Sequence, residues 1–306
     1  MNVTSKCGYP ISSLTLGTVQ LGIPYGINNQ AGMPTYEESA NILGTALDLG
    51  IVSFDTAKGY GESESVLGRF FGQNKHEKTI ISKVFFKDVD KAKVRDRIFA
   101  DVRDSLKKLG LQKLPFLKLH NESMLLHYGD TIVRALEDLK AEGLVCGVGI
   151  SFSDKSHLLD LTDGTGFDII QMPANMFDNK EIISGSIETL AERGIAVFIR
   201  SVYLQGLFFK DTNTLPEKIM SAKPALDKLH ELSRETGISI AELAITFIRD
   251  TEGITSLILG CDNSEQVKSG AALINAPSMP NSVREEIINI SESVDPVVIR
   301  PWEWFK

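Results

Sequence analysis

The sequence predicts a closed, parallel (β/α)8 TIM barrel, and three observations carry the prediction. Short apolar runs alternate with amphipathic stretches along the whole 306-residue chain. The runs are continuously apolar, as strands buried on both faces must be. There are eight such strand-helix units, which suits a closed barrel better than an open sheet. No linker or low-complexity stretch interrupts them, so residues 1–306 read as one domain.

Taken in order, a short segment from Val3 to Pro10 reads as a hairpin, and the first barrel strand is Leu14 to Thr18. A connection rich in glycine and proline runs from Gly22 to Pro34. Thr35 and Glu38 then form a capping box, opening a helix whose inner face carries Ile42, Leu43, Ala46 and Leu47. The second unit pairs a strand from Val52 to Asp55 with a helix from Glu62 to Phe71. The third pairs Thr79 to Val84 with a long helix, where Val94, Ile98, Val102, Leu106 and Leu109 keep the spacing of one helical face.

The fourth strand is Phe116 to His120, followed by a helix with Ile132, Leu136 and Leu139 inward. The fifth and sixth strands, Val145 to Ile150 and Asp168 to Met172, precede helices from Asp154 to Leu161 and from Lys180 to Arg193. The seventh strand is Ile195 to Arg200; a long loop and helices around Ala225 to Thr236 and Ile240 to Asp250 follow, the latter capped by a Ser239 and Glu242 box. The eighth strand, Ser256 to Leu259, leads into a helix from Ser264 to Leu273. A helix from Ser282 to Ile290 and a tail ending PWEWFK complete the chain.

Composition excludes several functions. A net charge of −8 with no basic stripe argues against nucleic-acid or membrane-surface binding, though not against an anionic small ligand. Cys7, Cys146 and Cys261 are sparse, odd in number and unpaired in spacing, which reads as free thiols in a reducing compartment. With no signal peptide and no long apolar run, a cytoplasmic protein is expected. Dinucleotide-binding glycine fingerprints, Walker loops, zinc-protease and serine-hydrolase motifs are all absent, and the scattered histidines suggest no metal site.

What remains is a set of four polar residues at or just after strand ends. FDTAKGYGESE supplies Asp55 and Tyr60, TIISK ends in Lys83, and LPFLKLH ends in His120. In barrels of this kind chemistry sits at the C-terminal ends of the strands. A phenol protonates a carbonyl oxygen well only if its pKa, near 10 in isolation, moves toward neutrality. A lysine ammonium beside it favours the phenolate, an aspartate keeps that lysine charged, and an imidazole can orient the carbonyl. Such a set fits reduction of an aldehyde or ketone, with hydride from a cofactor because no side chain can provide one. Taken singly, each of the four would more often be a solvated or packing residue; the grouping at successive strand ends is what argues for chemistry.

FDTAKGYGESE, TIISKV and the LH of LPFLKLHN resemble, in order along nearly the whole chain, three signature segments of the aldo-keto reductases. The resemblance implies an eight-stranded barrel using a nicotinamide cofactor, with Tyr60 as general acid/base, Asp55 and Lys83 tuning it and His120 orienting the substrate. It also implies cofactor contacts. Gly17 and Thr18 match the glycine-threonine that ends the first strand, and Ser151 and Gln171 match the residues that meet the nicotinamide carboxamide. Asn175 matches an asparagine of that stretch, whereas Phe152 stands where an asparagine usually follows the serine. Arg200 takes the place of an aromatic stacked on the nicotinamide, and otherwise reads as an ion-pair partner of a barrel acid. Ser201, Leu204 and Gly206 fall where the pyrophosphate loop would be.

At the adenosine end, LILGCDNSEQV matches the family's last strand and the helix start after it, with Gly260, Asp262, Asn263, Gln266 and Lys268 as candidate contacts. The family default is NADP. Asp262 stands where NADP-preferring members often carry a basic residue, which keeps NAD as an alternative, and Lys268 is placed to compensate. Tyr25, Asn28, Asn29 and Gln30, in a segment similar to a branch associated with carbohydrate metabolism, suit a hydroxylated carbonyl or alcohol substrate. Trp302, Trp304 and Phe305 read as a tail packed on the barrel. Two other functions fit the same residues: a cofactor-binding regulatory member with little turnover, and a barrel isomerase or lyase.

Overall fold

In the computed structural model, which describes residues 1–25, 32–74 and 76–304, the chain opens with an antiparallel hairpin of β1 (Val3–Lys6) and β2 (Tyr9–Ser12). Eight parallel strands follow: β3 (Leu14–Gly17), β4 (Ser53–Asp55), β5 (Thr79–Val84), β6 (Leu114–Leu119), β7 (Val145–Ser151), β8 (Ile169–Pro173), β9 (Ala196–Arg200) and β10 (Ile254–Gly260). They pair in chain order and β10 closes onto β3, so the predicted barrel is formed.

Helices surround it. These are α1 (Tyr36–Asp48), α2 (Ser63–Gln73), α3 (Val94–Leu109), α4 (Glu122–Tyr128), α5 (Asp130–Ala141), α6 (Leu158–Thr162), α7 (Lys180–Ile183), α8 (Ser186–Glu192), α9 (Lys223–Thr236), α10 (Ile240–Arg249), α11 (Ser264–Ile274) and α12 (Asn281–Ser291). Among the described residues no helix is long and apolar enough to cross a membrane.

Because successive strand side chains point to opposite faces, each strand divides its apolar residues between two layers. Phe54, Ile80, Leu117, Ile170 and Val197 pack outward against the helices. Ile81, Phe116, Ile169, Phe198 and Ile258 fill the barrel interior, together with Ile11 from the hairpin. The hairpin thus closes the N-terminal end of the barrel, with Tyr9 edge-on to Phe116. A ring of buried hydroxyls seals that end: Ser12 and Thr15 both bond Ser53, and Thr15 also bonds Ser256.

Several helices differ from expectation for local reasons. The stretch after β6 holds two helices rather than one, and Lys180 to Arg193 splits likewise; the breaks fall at Gly129 and Gly185, at φ 53° and 74°, where a right-handed helix cannot continue. The helix expected from Asp154 begins only at Leu158, because the Asp154 carboxylate accepts from the Ser156 N–H and holds a turn instead. The Thr35 capping box is complete, whereas at Ser239 only the bond from the Glu242 N–H to the serine hydroxyl forms. In the tail, Trp304 is buried and its indole N–H donates to the Val297 and Val298 carbonyls, while Trp302 is exposed. Phe305 lies outside the described residues.

Candidate active site

The inward face of each strand decides which polar side chains meet. In β4, Phe54 packs outward, so Asp55 points in; in β5 and β6, Lys83 and Lys118 share the inward parity of Ile81 and Phe116. His120 follows β6 directly, its N–H bonded to the Val84 carbonyl. Tyr60 is delivered by the loop between β4 and α2, where its N–H bonds the Ala57 carbonyl and its own carbonyl accepts from Ser63. That loop is pressed against Gly22, where any Cβ would overlap the Tyr60 carbonyl oxygen. Glycine is therefore required at 22 for Tyr60 to reach the barrel mouth.

Three of the four candidates form one chain of polar contacts, and the fourth lies beside its end. The Lys83 ammonium donates to Asp55 Oδ2 at 2.6 Å, to the Thr56 carbonyl at 2.8 Å and to the Tyr60 hydroxyl at 3.4 Å. The Tyr60 and His120 rings meet edge to face, with centroids 5.6 Å apart. A fifth residue joins them that the motifs did not single out. Lys118 donates to Asp55 Oδ1 at 2.7 Å and to Gln171 Oε1. Both lysine side chains are fully buried and Asp55 nearly so.

One carboxylate between two buried ammonium groups fixes the charges. Burial alone would raise the Asp55 pKa, but the charges of Lys118 and Lys83 overcome it and hold the carboxyl below its ordinary value. Burial works against the Lys83 ammonium too, and Asp55 and Tyr60 more than offset it, so Lys83 keeps its proton. Lys118 is the second cation on an anion already engaged; burial, with the repulsion of Lys83, pushes it down to about 7 against the pull of Asp55. Burial and then the Lys83 charge push His120 down to about 3, so its imidazole is neutral at physiological pH. In an NMR titration its ring is expected to take up no proton from pH 8 to 5, beyond small shifts as Lys118 titrates nearby, where an unperturbed imidazole, with a pKa of about 6.5, would swing through its midpoint. A titration step in that range would show that the imidazole is less shielded than the geometry implies.

The aldo/keto reductase family model matches residues 13–290. The chain belongs to the aldo/keto reductase family. It is 23% identical over 328 residues to L-glyceraldehyde 3-phosphate reductase of Escherichia coli O157:H7, covering 95% of this chain and 93% of that one. It is also 23% identical to the NADH-specific methylglyoxal reductase of Escherichia coli K12, over 74% of this chain and 79% of the relative. Among solved structures, an aldo-keto reductase from Bacillus halodurans in its holo form superposes with a TM-score of 0.77 at 21% identity, over 96% and 97% of the two chains. The glycerol dehydrogenase of Gluconobacter oxydans gives 0.74 at 20% identity, over 96% and 98%.

Enzymes of the aldo/keto reductase family are oxidoreductases that use NAD(P)H, and the remaining candidates of this member can be tested against that cofactor. Gln171 and Ser151 are register partners at the ends of β8 and β7, both buried. Arg200 sits across the mouth, with its guanidinium on the Phe152 carbonyl and the Ser201 and Ser153 hydroxyls, all neutral oxygens rather than a barrel acid. The loop after β9 holds three of the five non-glycine residues with positive φ among the described residues, Ser201, Leu204 and Gln205, with Gly206 next at φ 90°. Such backbone is uncommon and tends to mark ligand-holding sites.

At the other edge, β10 ends at Gly260, where a Cβ would collide with the Gln20 amide, and Gln20 Oε1 is buried without a partner. An orphaned acceptor beside a cradle that only glycine permits, together with the strained β9 loop, fits a polar ligand lying across these strand ends. Asn263 caps α11 by accepting from the Gln266 N–H, and the Gln266 side chain accepts from the Asp262 N–H. Lys268 is paired with Glu265 at 2.7 Å.

Two candidates are occupied by structural bonds. The Thr18 hydroxyl is fully buried and bonded to the Asp55 carbonyl and Ser63. The Asn175 amide bridges its own loop, accepting from the Phe177 and Asp178 N–H groups and donating to the Ser201 carbonyl. Phe152 is buried in the apolar layer, so it offers nothing polar in place of the missing asparagine. Tyr25 lies near the catalytic group: its phenol is pushed up by burial and by Tyr60, with Arg200 and Lys83 opposing. Asn28, Asn29 and Gln30 lie outside the described residues. Among the described residues no cluster of His, Cys, Asp or Glu is arranged to hold a metal ion.

Proposed function

We propose that this aldo/keto reductase interconverts an aldehyde or ketone with its alcohol, with Tyr60 as general acid/base and a nicotinamide nucleotide as hydride carrier. The observation that carries the proposal is the unbroken contact from Tyr60 through Lys83 to Asp55, with His120 against the tyrosine ring. When bound, the nucleotide supplies the hydride. Tyr60 gives its proton to the carbonyl oxygen as negative charge develops there, and takes one from the alcohol in the reverse direction. Lys83, held charged by Asp55, lies where it stabilises the phenolic oxygen after the proton has left. The neutral His120 has one N–H donor, which orients the carbonyl without competing to protonate it.

Ser151 and Gln171 would meet the carboxamide, Arg200 the nicotinamide side, and Ser201, Leu204 and Gly206 the pyrophosphate. Gly17, Gly260, Asn263 and Gln266 would flank the adenosine half. Asp262 stands where NADP-preferring members often carry a basic residue, and the nearby basic side chain, Lys268, is engaged with Glu265. NADH is therefore the expected partner over NADPH, by roughly five- to tenfold, since one like-charge contact at a surface is worth about 1 kcal/mol. Titrating the purified protein with each nucleotide checks this, and Asp262→Arg is expected to reverse the order. Equal affinities in the wild type, unchanged by the substitution, would remove Asp262 from the site.

For the substrate, a small hydroxylated carbonyl is supported by the phenol of Tyr25 above the site and by relatives named for glyceraldehyde phosphate, methylglyoxal and glycerol. Carbonyl-dependent oxidation of NADH or NADPH across a panel of short sugars, polyol-derived carbonyls and aromatic aldehydes tests the reading. Activity confined to aromatic aldehydes would reject the substrate class, and turnover without nucleotide would reject the reaction.

A further inference from the structure

Lys118 is not among the residues that match the family's segments, yet it is 0% exposed at the centre of the site. It is the register partner of Lys83 on the neighbouring strand, so the two ammonium groups enter the barrel at one level. A second buried cation is costly, and an apolar side chain would fill the space beside Phe198 more cheaply. What Lys118 provides is a link. Asp55 is on β4 and Gln171 on β8, on different sides of the barrel, and Lys118 on β6 donates to both.

An ammonium has three donors and no acceptor. Its contact is with Gln171 Oε1, so when Lys118 is protonated the glutamine faces it with the amide oxygen and turns its Nε2 hydrogens away. We propose that Lys118 is a positioning residue that ties Gln171 to the Asp55 and Lys83 pair, so that the glutamine offers only amide hydrogens and takes a bound nucleotide's carboxamide by its carbonyl oxygen. The proposal rests on the reading that Gln171 meets that carboxamide. It links the nucleotide's amide to the proton-handling group through Gln171 and Lys118.

A double-mutant cycle on nucleotide binding tests it, using NADH and NADPH titrated against wild type, Lys118→Met, Gln171→Leu and the double variant. If Lys118 acts through Gln171, each single change weakens binding about tenfold and the double variant is no weaker than Gln171→Leu alone. Wild-type affinity in Lys118→Met, or losses that multiply in the double variant, would overturn the proposal while leaving the general function intact. Absence of nucleotide binding by the wild type would overturn both.

A second measurement needs no variant and holds even if Lys118→Met does not fold. The 3-acetylpyridine analogue of the preferred nucleotide keeps the carbonyl oxygen and lacks the amide hydrogens. It is expected to bind within about threefold of the parent. A loss beyond tenfold would mean that the glutamine presents its oxygen to the ligand, and would overturn the proposal.

Discussion

Replacing Tyr60 by phenylalanine is expected to lower turnover on any carbonyl by about 10²- to 10⁴-fold, the range a positioned acid or base contributes, while nucleotide affinity stays near wild type. The phenyl ring preserves the edge-to-face contact with His120 and the packing of the loop against Gly22, so only the hydroxyl 3.4 Å from Lys83 is lost. The neutral His120 is a poor substitute acid, because a group pushed down to about 3 carries no surplus proton at neutral pH. Steady-state rates paired with nucleotide titration separate the two effects. Retained turnover in Tyr60→Phe would remove the phenol from the reaction.

The second large effect is on stability. Asp55→Asn leaves Lys83 and Lys118 buried with no counter-charge, and removing one partner from a buried ionic group costs about 3–5 kcal/mol. The penalty depends on pH. Of these two lysines, in the wild type Lys118 alone sits below the ordinary range, because Asp55 holds Lys83 above it. In Asp55→Asn both ammonium groups are disfavoured in the folded state while the unfolded chain still binds their protons. Stability of the variant therefore rises faster with pH than that of the wild type between about pH 7 and the ordinary lysine pKa of about 10.4. Urea unfolding at pH 6 and pH 9 should show a large deficit that narrows at the higher pH. Matching stabilities at both values would mean that solvent reaches the lysines.

The barrel was legible because continuous apolar strands and one-sided helices leave clear periodicities, and the four polar candidates stood out because each ends such a run. Lys118 was missed although the same rule places it. In LPFLKLH, a period of two from His120 puts Lys118 and Phe116 on one face, so an inward His120 implies an inward lysine. The habit of sending lysine to solvent outweighed the strand's geometry. The divided helices carried visible signals in Gly129 and Gly185, but an apolar stripe continues past a break, and periodicity alone does not register a change of φ. Thr18 and Asn175 show the reverse difficulty. A motif identifies a position but not which neighbours already use its hydrogen bonds, and here backbone carbonyls and loop N–H groups do.

The hairpin at the lower end leaves the packed barrel a single entrance. Ile11 and the hydroxyl ring close the floor, so anything arriving at Lys83 crosses the rim on which Tyr25 and Arg200 stand and departs the same way.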